Sequence, residues 1–75
     1  MNDQTFGEKA VGLTFNPSGN KVVTDLKTAC AVVINICNDE RERAASPEVK
    51  RMYSVAITEA QTAQMWDVKA ATWRD

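Results

Sequence analysis

The sequence predicts an all-α protein, in which two long antiparallel helices form a hairpin behind a short N-terminal arm. Two observations predict this single domain over residues 1–75. Apolar residues recur every three or four positions through the middle of the chain, as they do on one side of a helix. Two turn segments carry residues that start helices. We expect the arm at 1–15, a first helix at 16–44 and a second at 47–73.

The segment "NPSGN", residues 16–20, carries the start signals of the first helix. Asn16 or Ser18 can cap a helix, because its side-chain oxygen accepts a hydrogen bond from an N–H of the first turn. Pro17 suits a first turn, where its missing N–H costs nothing. The first helix is therefore expected to begin within this segment.

The apolar residues of the first helix form a stripe that we expect to face the second helix: Val22, Val23, Leu26, Ala29, Cys30, Val33, Ile36 and Cys37. Residues 32–34, "VVI", favour a strand by propensity, but the helical period on both sides of them outweighs three residues. Val32 and Ile34 lie outside the stripe. Their position predicts a second apolar contact.

The segment "AASPEV" starts the second helix. Ser46 can cap it, Pro47 suits the first position, and Glu48 places a negative charge near the N-terminus of the helix. Small residues follow at helical spacing and allow another helix to approach closely: Ala56, Ala60, Ala63 and Ala70. We expect the first three of these alanines to pack on the first helix.

More apolar side chains are present than one helix pair can cover. A hairpin has a single interface, which leaves several of them to be covered otherwise: Val32, Ile34, Ile57, Trp66 and Trp73. A chain of 75 residues also has little capacity to bury a sufficient core alone. The sequence therefore predicts a homo-oligomer of hairpins.

Charge and composition exclude several classes of function. Nine basic and ten acidic residues give a net charge of −1, which provides no field to attract long nucleic acid or an anionic membrane. The N-terminus resembles no signal peptide, and no apolar run is long enough to span a membrane, so a cytoplasmic location is expected.

Residues for catalysis or metal binding are scarce. The chain has no histidine and no cluster with ligand spacing, so we expect no metal, no cofactor and no enzymatic activity. Cys30 and Cys37 lie about 10 Å apart along a helix, beyond the ~7 Å limit for a disulfide. We interpret both as small apolar packing residues.

The residues do allow a site for a small anionic ligand with flat bases. Phosphates are bound by basic side chains and free N–H groups, and bases stack on aromatic rings. Near the first helix lie the turn at 16–20, the rings Phe6 and Phe15, and the cation Lys27. Two alternatives stay open: Phe15 as a hydrophobic staple with Lys27 as a surface lysine, and a chain that serves as a helical protein–protein adaptor.

Two segments resemble a known family. "KRMYSVAITEAQTAQMWDVKAAT", with the spacing of Thr58, Gln61, Met65 and Lys69, resembles the closing helix of phage hairpin-domain proteins that sponge cyclic nucleotides, namely anti-CBASS protein 2 and its anti-Thoeris relatives. "FNPSGNKVVTDLKTACAVV" is similar to the first long helix of that family. The resemblance covers roughly residues 10–73.

The resemblance implies a function. Such a protein binds cyclic dinucleotides, such as 3′,3′-cGAMP, in the cytoplasm of an infected bacterium without cleaving them, and so withholds the signal from its effector. The family assembles as hexamers with dinucleotide pockets between protomers, and some members have separate pockets for cyclic trinucleotides. The resemblance thus implies a homo-oligomeric sponge rather than an enzyme.

The resemblance also implies roles for individual residues. Lys27 matches the lysine that contacts a ligand phosphate. Asn16 belongs to the segment at 12–20 that is expected to hold the base and the sugar-phosphate edge. Lys69 matches a basic position of the trinucleotide pocket, and Thr58 and Gln61 are expected to line that second site.

One position departs from the family pattern. The family has a Tyr or Phe directly after a glycine ahead of the first long helix, and its ring stacks on the base. Here Leu13 follows Gly12. Either Leu13 acts as an aliphatic plate for the base, or one of the rings of Phe15 and Phe6 takes over the stacking.

Overall fold

A computed structural model describes residues 3–75, which contain three helices and no strand. Helix α1 spans Phe6–Val11, α2 spans Lys21–Arg43 and α3 spans Pro47–Ala71. Helices α2 and α3 form the hairpin, and α1 packs mainly on α2. The all-α hairpin is thus confirmed.

Helix α2 begins later than residue 16, where its start was expected. Its N-cap is Asn20, whose side-chain oxygen accepts hydrogen bonds from the N–H groups of Val22 and Val23 at 2.8 and 3.3 Å. Neither Asn16 nor Ser18 caps it. Gly19 has a φ of +64°, a left-handed conformation that a right-handed helix cannot continue through, so residues 16–20 form a turn ahead of α2.

Helix α3 starts at the expected position. The Ser46 side chain accepts a hydrogen bond from the N–H of Val49 at 3.3 Å, and Pro47 is the first helical residue. The helix ends at Ala71, two residues before the expected end at 73, because Thr72 leaves the helical conformation with φ −109° and ψ 6°.

Helix α1 lies in very close contact with α2. Thr5 and Glu8 form a capping box at its start. The N–H of Gly7 donates to Oδ1 of Asn35 at 2.7 Å, and a Cβ at Gly7 would collide with the carbonyl oxygen of Ala31. Only glycine therefore allows α1 to approach α2 this closely.

The core lies where the three helices meet. Its buried members are Val11, Ala31, Ile34 and Ile57, with half-buried Ala10, Leu13, Cys30, Cys37 and Ala60 around them. Ile34 is 0% and Ile57 6% exposed, so the expectation that these two need cover from another copy is wrong. The reason is α1, which brings Val11 into contact with this cluster.

The apolar stripe predicted for α2 is only partly buried. Val22, Val33 and Ile36 are about half exposed, so this part of the expectation is wrong. On α3, Ala60 packs against the core, whereas Ala56 and Ala63 are exposed and do not pack on α2 as expected. The α2–α3 contact is thus narrower than the sequence predicts.

The molecule is thin, with principal extents of 46 × 33 × 12 Å. Large apolar side chains stay exposed on it, among them Val32, Val33, Ile36, Met52, Val55, Met65, Trp66 and Trp73. None of the helices in residues 3–75 has the length and hydropathy of a membrane span.

Candidate functional site

The loop of residues 12–20, which joins α1 to α2, is organised by Lys27. This lysine is only 4% exposed. Its Nζ donates hydrogen bonds to the carbonyl oxygens of Gly12, at 2.9 Å, and Phe15, at 2.6 Å. It also lies 5.6 Å from the centroid of the Phe15 ring. Lys27 is therefore not a solvated surface lysine but the residue that holds the loop against α2.

The charge of Lys27 is balanced by dipoles. No carboxylate among residues 3–75 forms an ion pair with it. An ammonium group has three N–H donors, and the two carbonyl oxygens accept two of them. Lys27 therefore places a buried positive charge beneath the loop. The third N–H of its ammonium group has no hydrogen-bond partner among residues 3–75.

Asn16 fixes the rest of the loop. Its Nδ2 donates to the carbonyl oxygen of Asn20 at 2.8 Å and to Oγ1 of Thr24 at 2.9 Å. Its Oδ1 accepts from the N–H of Asn20 at 3.3 Å and from Oγ of Ser18 at 3.4 Å. All polar atoms of the Asn16 side chain thus act within the loop and at the start of α2.

The three remaining loop positions have different environments. Gly12 ends α1 with a φ of +62°, where a side chain would be strained. Leu13 is half-buried and packs against the core cluster. Phe15 is 73% exposed. Compared with Leu13, Phe15 therefore offers the larger exposed surface on which a base could stack.

The structure separates Phe6 from this loop. The guanidinium of Arg41 lies 5.8 Å from the centroid of the Phe6 ring. Arg41 is fourteen residues beyond Lys27 on α2, or about 21 Å along the helix at ~1.5 Å per residue. Within one chain, Phe6 and Lys27 are therefore not part of one site.

The residues predicted for the second, trinucleotide site do not lie together within one chain. Lys69 is exposed, and its Nζ lies 5.1 Å from the ring of Trp66 and 5.8 Å from that of Trp73. Gln61 points to α1, where its Nε2 donates to the carbonyl oxygen of Ala10 at 3.3 Å. Thr58 bonds the carbonyl oxygen of Ser54 on its own helix at 3.3 Å.

The half-buried thiol of Cys30 faces Asp67. Its Sγ lies 3.9 Å from Oδ2 of Asp67. Burial raises the pKa of the Cys30 thiol, and the negative charge and hydrogen bond of Asp67 raise it further. This environment opposes formation of a thiolate, so it does not activate Cys30 as a nucleophile. Within residues 3–75, no His, Cys, Asp and Glu side chains cluster as metal ligands.

A cleft of about 560 Å³ lies where the start of α2 meets the end of α3. Its lining consists of Pro17, Ser18, Asn20, Ala71, Thr72, Trp73 and Arg74. The sequence reasoning missed this juxtaposition of the loop with the C-terminal residues. The available signal was the antiparallel hairpin itself, which brings the beginning of its first helix next to the end of its second.

A family model described as "Acb2/Tad1, hairpin domain" matches residues 8–72. The chain belongs to the Acb2/Tad1 hairpin-domain family. The match confirms the resemblance to the anti-CBASS and anti-Thoeris proteins and covers the loop, α2 and α3. Comparisons with curated proteins and with solved structures gave no significant match.

Membership of the Acb2/Tad1 family indicates the general role of the protein. The family is one of sponge-type hairpin domains and is not a known enzyme family, which indicates an anti-defence role. The loop with its buried cation and the adjoining cleft lie within the matched residues, apart from the last two residues of the cleft.

Proposed function

We propose that this protein binds cyclic dinucleotide immune signals, such as 3′,3′-cGAMP, in the cytoplasm of infected bacteria and sequesters them without cleavage. CBASS effectors would then lack their activator. The observation that carries the proposal is the match of the Acb2/Tad1 hairpin domain to residues 8–72.

The loop of residues 12–20 supplies groups that suit such a ligand. Phe15 has an exposed ring on which a base can stack. Lys27 has a third N–H donor that can bond a phosphate oxygen, as the family resemblance implies. Because Lys27 is buried, a phosphate reaches that donor only when the loop or the Phe15 ring moves aside.

We further propose that the chains assemble as a hexamer with ligand pockets between neighbouring copies. The exposed apolar side chains support this, because another copy would cover them. Assembly would also bring together groups that one chain keeps apart, such as Lys69, Thr58 and Gln61 for a cyclic trinucleotide. Sedimentation that finds a stable monomer at micromolar concentration would reject the assembly.

Calorimetric titration tests the proposed ligand. We expect heat of binding with 3′,3′-cGAMP or another member of a panel of cyclic di- and trinucleotides, followed by recovery of intact nucleotide after the complex is denatured. Absence of heat with the whole panel would reject the sponge function. Recovery of hydrolysed nucleotide would replace it by an enzymatic one.

The exposed apolar faces also favour a second candidate, a helical protein–protein adaptor. In an adaptor, substitutions in the loop of residues 12–20 would leave function intact, whereas substitutions of exposed apolar residues would abolish it. The sponge function has the opposite pattern for the loop. Protection of phage growth against a CBASS system, measured with both sets of variants, separates the two candidates.

A further inference from the structure

The cleft between the start of α2 and the C-terminal residues contains an aromatic ring and a guanidinium that could bind a nucleotide. The loop of residues 12–20 has no guanidinium. The volume of the cleft, about 560 Å³, lies within the range of ~300–1,000 Å³ that is typical of small-molecule sites. One wall is formed by Pro17, Ser18 and Asn20 of the loop. The other wall contains Trp73 and Arg74, which follow α3.

Trp73 provides an exposed aromatic surface beside the cleft. Its Nε1 donates to Oδ1 of Asp75 at 3.0 Å, and the Nζ of Lys69 lies 5.8 Å from the ring. The side chain nevertheless stays 63% exposed. A ring that is open to solvent can stack on a base.

Arg74 is the available cation of the cleft. Its guanidinium makes no hydrogen bond or ion pair with any residue in 3–75. By contrast, Lys27 already bonds two carbonyl oxygens, and Asn20 already accepts the N–H groups of the first turn of α2. A guanidinium can bond two oxygens of a phosphate at once, which an ammonium cannot do in the same plane.

We propose that Trp73 and Arg74 complete the cyclic dinucleotide site: Trp73 stacks on one base in the cleft and Arg74 bonds a phosphodiester. The loop of residues 12–20 is shared, because it forms one wall of the cleft and also contains Phe15 beside Lys27. This inference rests on the proposed function and adds two binding residues from the C-terminal end of the chain.

Calorimetric titration of full-length variants with 3′,3′-cGAMP tests the two residues. Trp73→Ala and Arg74→Ala are each expected to weaken binding about ten-fold or more, as for loss of a stacked base or a charged hydrogen bond. Trp66→Ala is the matched control for the ring, because Trp66 also contacts Lys69 and is 65% exposed but does not line the cleft. Arg43→Ala removes the same charge at the far end of α2.

The outcomes separate the inference from the function on which it rests. Weakened binding by the Trp73 and Arg74 variants, with the two controls unchanged and all oligomers equal in sedimentation, supports it. Binding as in the wild type by the Trp73 and Arg74 variants overturns the inference and leaves the sponge function standing. Equal weakening by Trp66→Ala and Trp73→Ala overturns it in favour of a general role of these rings in assembly. No binding by the wild-type protein to any cyclic nucleotide rejects both.

Discussion

The two ends of the hairpin are stabilised in different ways. At the turn end, residues 44–46 join the helices, and the nearby ion pairs are exposed: Arg43–Glu40 at 3.2 Å and Arg51–Glu48 at 2.6 Å. At the loop end, where residues 12–20 meet residues 71–75, Lys27 is buried on backbone carbonyl oxygens beside an open cleft. The charged side chains near the turn are exposed or, as for Arg41, half-buried, whereas the ammonium group of Lys27 at the loop end is almost fully buried.

This difference makes the loop end the better candidate for a ligand site. Exposed ion pairs contribute little to stability, so at the turn end the helices are joined mainly by the short connection and by hydrogen bonds from Arg41 to Ser54 and from Lys50 to the carbonyl oxygen of Arg41. Burying an ammonium group lowers stability unless its hydrogen bonds are made. The loop end therefore depends on the bonds of Lys27 to the two carbonyl oxygens of the loop. Substitutions at both ends test this difference in stabilisation.

The largest effect is expected for Lys27→Met. Methionine keeps most of the aliphatic volume but removes both bonds to the carbonyl oxygens of Gly12 and Phe15, which should lower the free energy of unfolding by about 2–3 kcal/mol. Urea unfolding at one fixed protein concentration measures it. Lys21→Met is the control, since Lys21 is exposed and, among residues 3–75, its ammonium group pairs with Asp25 alone. A Lys27→Met protein as stable as the wild type would mean that desolvation of the ammonium cancels its bonds.

A smaller effect is expected for Gly7→Ala, between the two ends. The added Cβ collides with the carbonyl oxygen of Ala31, so α1 must move away from α2, at about 1–3 kcal/mol. Urea unfolding measures the lost free energy, and hydrogen exchange should be faster at the backbone N–H of position 7, which in the wild type donates to Asn35. Lys9→Ala, on the exposed side of α1, should change neither the free energy of unfolding nor the exchange rate at position 7. Unchanged exchange in Gly7→Ala would contradict the tight docking of α1.

The smallest effect is expected for Glu48→Gln at the turn end. The hydrogen bond from Arg51 lowers the pKa of Glu48 below its ordinary value of 4.5, so the pair stabilises the fold above that pH and is lost as pH falls through the lowered pKa. Because both side chains are exposed, losing this pair and the negative charge near the N-terminus of α3 should lower the unfolding midpoint at pH 7 only slightly. A midpoint shifted as far as by Gly7→Ala would contradict the contrast between the ends.

The features predictable from the sequence are those with local causes. Ser46, Pro47 and Glu48 are adjacent in the chain, and together they mark the start of α3. The capping box of Thr5 and Glu8 was a similar local signal for α1, but six helical residues are too few to show a period. The residue types of the loop suit phosphates and bases, so the sequence predicts a site there.

The remaining features depend on contacts between distant residues. The burial of Ile34 follows from the docking of α1, which the close approach at Gly7 permits. The position of Lys27 follows from the course of the loop, since its partners are twelve and fifteen residues away in the chain. No periodicity within α2 could have distinguished this buried lysine from a surface lysine.

The partners of Lys27 have a consequence for changes in acidity. A lysine held by a carboxylate loses its partner when that carboxylate is protonated, but the carbonyl oxygens of Gly12 and Phe15 do not titrate. These two hydrogen bonds therefore do not depend on the protonation of a neighbouring acid, and acidification that protonates carboxylates leaves them in place.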